Sequence, residues 1–186
     1  MRSFVPEQLE ALVAQMASQT RPIKIVPKAN DRLQRAIDWA LRVVTLGGQD
    51  RYLSEYVTTL GRTIYVPEGW GETPPIEQYK ILRHELVHVA QFERYGWVGM
   101  VLVYGVVFLP MGLAWGRARL EWEAYAETLR VTAEVEGLAA AQSPRLRASI
   151  VSRFTGPDYA YMWPFPRQVA GWIDAELRML EEASRG

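Results

Sequence analysis

The chain has no cysteine, two histidines and no net charge across its 186 residues, and its lysines are confined to Lys24, Lys28 and Lys80. Without cysteine there is no disulfide framework, no thiolate metal site and no thiol nucleophile. Twenty-one Lys and Arg offset 21 Asp and Glu, so the chain as a whole carries no electrostatic footprint for nucleic acid or anionic lipid. A secretory leader is also not expected. The opening MRSFVPEQLEALVAQ sets two acids and a proline where such a leader needs an unbroken apolar run. A cytoplasmic protein is therefore expected. Repeats and low-complexity tracts are absent, and the length suits one domain, residues 1–186, with a sizeable core.

The apolar pattern predicts an α+β fold. Residues 6–18 read as a helix with Leu9, Leu12, Val13 and Met16 on one face. Ile23, Ile25 and Val26 mark a short strand within residues 21–27, bounded by prolines. Asn30 or Asp31 can cap a second helix carrying Leu33, Ile37, Ala40 and Leu41, closed by Gly47-Gly48. Residues 56–60 and 63–66 flank Gly61-Arg62 as a hairpin. The tandem prolines at 74 and 75 open a helix over residues 76–95. Everything beyond is helical in pattern, with breaks at Pro110, at Ser143-Pro144 and across residues 155–166. The expectation is a short N-terminal sheet of about three strands with helices, followed by an all-helical C-terminal half.

Both histidines fall in one pentapeptide, His84-Glu85-Leu86-Val87-His88. Residues four apart on a helix lie on one face a turn apart. Two imidazoles so placed can share one Zn²⁺, and Glu85 can reach a water on that ion as a general base. Two core histidines landing four apart by accident, with Glu after the first, is a coincidence on the order of one in a thousand. A catalytic zinc site takes three protein ligands and a water. With no third histidine, the remaining ligand must be a carboxylate. The acid-rich helical stretch Leu120-Glu121-Trp122-Glu123-Ala124-Tyr125-Ala126-Glu127 supplies candidates, with Glu121 and Tyr125 on a common face.

His-Glu-x-x-His followed by a helical Glu resembles the gluzincin metallopeptidases, and the chain's size and short sheet are similar to their minimal single-domain members. The run His88-Val89-Ala90-Gln91 is similar to the His-x-x-Gln of many bacterial metallopeptidase-like domains. The resemblance spans roughly residues 63–128. It implies a zincin-like fold, with Zn²⁺ held by His84, His88 and Glu121, and Glu123 then Glu127 as substitutes for Glu121. Tyr125 stands where the family commonly has Asp. The implied activity is hydrolysis of a peptide or protein substrate, more readily as an endopeptidase, through a metal-activated water with Glu85 as base. The family's oxyanion-stabilising histidine has no counterpart, so Tyr159 and Tyr161 are the candidates for that task. Residues 63–66 resemble the edge strand that lines the family's cleft and could accept a substrate strand.

Residues 96–115, GWVGMVLVYGVVFLPMGLAW, carry no charge. By length the run could span a bilayer, since about twenty residues of helix cover ~30 Å. A single span would separate His88 from Glu121, and they could not then bind one ion. With Gly96 as a helix stop and Pro110 as a break, about a dozen helical residues remain. They suit a buried core helix, a self-association surface or a membrane contact. Two alternatives accompany the peptidase: a non-catalytic scaffold or binding domain that keeps zinc for folding, and a membrane-associated protease using residues 96–115. The motif predicts close to one zinc per chain by elemental analysis after reconstitution. His88→Ala should lose most of that metal and some thermal stability, because metal binding and folding are linked.

Overall fold

The computed structural model describes residues 4–28, 57–105, 115–156 and 161–185. The expected second helix, from Asn30 to Gly48, lies outside these residues, as do Pro110 and Tyr159. Helix α1 is Pro6–Ser18, followed by strands β1 (Lys24–Pro27), β2 (Thr58–Leu60) and β3 (Thr63–Val66) and a 3-10 turn, Glu68–Glu72. Helices α2 (Pro75–Gly105), α3 (Trp115–Val135), α4 (Leu138–Ala141), α5 (Pro144–Thr155) and α6 (Pro166–Arg185) complete the chain. The fold is thus mostly helical with one small mixed sheet, consistent with the α+β class.

Proline and glycine set several boundaries. Pro6, Pro75 and Pro144 stand at or next to helix starts, where a missing N–H costs nothing. Ser143 caps α5 by accepting from the Leu146 N–H. The hairpin turns at Gly61, whose φ of 61° favours glycine. A Cβ there would also stand 3.1 Å from the Trp97 ring. Gly96 interrupts α2 with φ 65° and ψ 176°, so two helical stretches meet at a kink. That backbone region is essentially restricted to glycine.

The sheet order is β1-β3-β2, with β1 parallel and β2 antiparallel to β3. This corrects the expectation for residues 63–66. β3 is the central strand, paired on both sides, and no substrate strand can add to it. Its alternation explains the placement: Ile64 and Val66 are buried while Thr63 and Tyr65 are less so. Ile64 and Val66 join Met16, Ile23, Leu82 and Val89 in a core between the sheet, α1 and α2.

A second core, built from Trp122, Leu129, Ile150, Phe154, Val169 and Ile173 among others, joins α3 to α5 and α6. Helices α2 and α3 therefore stand between the two cores. Two side chains turn away from their expected faces. Val13 is exposed beside the buried Met16, and Ala90 is exposed while Val89 is buried. The short α4 after Gly137 is an extra break that apolar spacing did not reveal.

Ile64→Ala should lower unfolding free energy by about 2–5 kcal/mol, the usual range for deleting a buried branched side chain. Val13→Ala should stay within about 0.5 kcal/mol, as surface changes do. Urea titration of the two variants against the parent checks both values.

Candidate metal centre

The centre forms where α2 and α3 face each other across a polar stretch. On α2 the inward positions run Leu82, Glu85, His88 and Val89, then Gln91, so the buried stripe changes from apolar to polar along the helix. Among the described residues, His84, His88 and Glu121 each offer one donor atom within 4.8 Å of the others. His88 Nε2 lies 3.8 Å from Glu121 Oε2. Exposure is 6 % for Glu85, 8 % for His88 and 4 % for Glu121. Two imidazoles and a carboxylate are a donor set that zinc takes. Bonds of about 2.0–2.2 Å to tetrahedral zinc put donors roughly 3.4 Å apart, close to the His88–Glu121 separation. The residues present fit the ion.

Hydrogen bonds fix which ring nitrogens are available. Thr128 Oγ1 donates to the Ala124 carbonyl at 3.2 Å and lies 2.9 Å from His84 Nδ1. Its single proton being committed, it accepts from His84 Nδ1–H. The Gln91 amide nitrogen donates to the Leu120 carbonyl at 2.9 Å and to Glu123 Oε2 at 3.0 Å. Gln91 Oε1, 2.9 Å from His88 Nδ1, is therefore the acceptor of that N–H. Both imidazoles carry their proton on Nδ1 and leave Nε2 free, the arrangement in which the protein orients metal-binding histidines. Tyr125 packs against the His84 imidazole. Its ring meets His84 edge-on at 4.9 Å and Phe154 at 5.5 Å.

Glu85 is held from the sheet side. Thr59 pairs directly with Ile64 across the hairpin, so both side chains project from the same face. Ile64 enters the core, and Thr59 Oγ1 donates to Glu85 Oε2 at 2.7 Å. Burial raises the Glu85 pKa, and the nearby Glu121 charge adds to it, against the opposing pull of His88, Thr59 and Lys28. Burial and the charge of His88 hold the His84 pKa well below the ordinary value, with Arg153 on α5 adding in the same direction. Burial opposes protonation of His88 as well, but the carboxylates of Glu121 and Glu85 outweigh it and raise that pKa.

The structure brings together His84, Glu85, His88 and Glu121. The substitutes for Glu121 are engaged elsewhere. Glu123 accepts from Gln91 and lies 3.7 Å from Arg94. Glu127 accepts from Arg83 Nε at 2.8 Å. Tyr161 is 59 % exposed with φ 51°, and no described contact joins it to the cluster. Sequence reading missed Thr59, Thr128, Lys28 and Arg153, and it had Gln91 without a role. Only Gln91, in His-x-x-Gln, left a signal in the chain. No family model matches the chain, and neither a curated protein nor a solved structure does.

Glu121→Gln should weaken zinc binding strongly, while Glu123→Gln and Glu127→Gln leave the first-order site intact. Gln91→Leu, which removes the acceptor for His88 Nδ1–H, should cost about 10–100-fold in zinc affinity, as loss of an orienting partner does. Competition titration with a chromophoric chelator measures all four variants on one scale.

Proposed function

We propose that this chain is a zinc-dependent metallopeptidase of gluzincin type, with a zincin-like fold and a peptide or protein substrate. The observation that carries this reading is the meeting of His84, His88 and Glu121 around one point, with Glu85 buried beside them and held by Thr59 from the hairpin. A purely structural ion has no use for a second acidic group at that place.

In this reading His84, His88 and Glu121 hold Zn²⁺, which supplies Lewis acidity and lowers the pKa of water from about 15.7 toward ~7. The chain's own groups do the rest. Thr59 occupies Glu85 Oε2 and leaves Oε1 to receive the proton of the attacking water. Glu85 then passes that proton to the leaving amine, the work of a general acid–base. Thr128 and Gln91 keep both imidazoles on the Nδ1–H tautomer while charge shifts at the site. Negative charge developing on the carbonyl oxygen calls for a positive partner. Lys28 lies within electrostatic reach of Glu85 and Arg153 within reach of His84.

One observation favours a second reading, a zinc-stabilised scaffold without turnover. Glu85 is almost wholly buried, whereas a general base must meet its substrate. Glu85→Gln separates the two. For the peptidase, the variant keeps its zinc content and melting temperature and loses about 10²–10⁴-fold in hydrolysis of an unstructured protein. Zinc-loaded parent protein with no turnover across a broad peptide library would support the scaffold instead.

A further inference from the structure

The zero net charge of the whole chain conceals a local asymmetry: between positions 94 and 120 there are three arginines and no acid. Within that stretch the second half of α2, after the Gly96 kink, is apolar on every side. Met100 faces inward and is buried. Val98, Val101 and Leu102 face outward and are 74 %, 61 % and 63 % exposed. A helix apolar all round belongs in a core or in lipid, and here the outward half is in neither.

The start of α3 lies alongside. A Cβ on Gly116 would stand 3.3 Å from Val103, and Gln91 reaches Leu120, so the two arms run antiparallel. The margins of the patch are aromatic and cationic. Arg94 lies over the ring of Tyr95 and Arg119 over the ring of Trp115, each at 5.7 Å, and both rings are exposed. Trp115 continues through Trp163 to the exposed Phe165.

We propose that this face is a docking surface for an anionic lipid bilayer. Aliphatic side chains at the centre, tryptophan and tyrosine at the border, and arginines beyond them match the layers of a bilayer surface in order: acyl chains, interface, phosphates. Charge complementarity decides for lipid over a second copy: the charges in the stretch are all arginines, Arg94 is shared with Glu123, and Arg119 over the exposed Trp115 ring is the cation offered to anionic headgroups. An interfacial helix lies in the membrane plane with its apolar face ~5–10 Å deep, and Trp97 to Gly105 offers about 12 Å of such helix. No described helix is long and apolar enough to cross a membrane. Val98, Val101 and Leu102 lie beyond the Gly96 kink and none of them belongs to the His84, His88 and Glu121 cluster, so docking and the metal centre use different side chains. This inference does not rest on the peptidase reading.

Sedimentation of the full chain with vesicles tests it, using phosphatidylcholine mixed with phosphatidylglycerol and phosphatidylcholine alone. The parent protein should co-sediment with the mixed vesicles, and less with the neutral ones or at high salt. The double variant Val98→Ser, Leu102→Ser should lose about ten-fold or more in partition with unchanged melting temperature, since both side chains are exposed. Arg119→Gln should weaken binding to the mixed vesicles alone. Absence of parent protein from both pellets would overturn the proposal, as would sedimentation unaffected by the double variant. A parent dimer in analytical ultracentrifugation that the double variant dissociates, without vesicle binding, would assign the face to a second copy instead.

Discussion

Burying ionisable groups between two helices is the constraint from which this structure follows. Glu85, His88 and Glu121 are nearly inaccessible to water, and a charged or polar group in that position is costly unless it is bonded. Two of them are answered from different parts of the chain, Glu85 by Thr59 on the hairpin and His88 by Gln91 on its own helix, and Gln91 in turn ties α2 to α3. The amide of Gln91 touches a histidine, a backbone carbonyl and a carboxylate at once, so it sets the rotation of α2 and α3 about each other. The apolar cores on either side are permissive by comparison, because dispersion contacts accept many side chains of similar volume.

Much of this was readable from residue order. Local rules placed α1, the turn at Gly61, the proline-led helix starts and the kink at Gly96, because each depends on a few neighbouring residues. The His-Glu-x-x-His spacing is likewise local. It put the two histidines on one face, and the search for a third ligand pointed to Glu121, which stands beside them in the structure.

What escaped was set by contacts between distant residues. Thr59 meets Glu85 across 26 positions, and Thr128 meets His84 across 44. A threonine in a short strand or mid-helix gives no sign of such a partner. The central position of β3 depends on a parallel pairing with β1, whose partner residues lie nearly forty positions apart. A strand four residues long looks the same at an edge as in the middle. Val13 and Ala90 each sit next to a residue that is buried, and apolar spacing alone cannot choose between neighbours at the margin of a stripe.

The Gly96 kink carries a consequence for how the molecule can vary. A residue with a side chain would be strained there by about 1–3 kcal/mol, so the change of direction between the two halves of α2 depends on this one glycine. On one side of it, His84, His88 and Gln91 must keep their mutual angles. On the other, Val98, Val101 and Leu102 are exposed. Substitutions in the arm are thus decoupled from the ring angles, and the two halves of α2 are free to diverge at different rates. One continuous helix has become two inheritable parts, divided at a single residue.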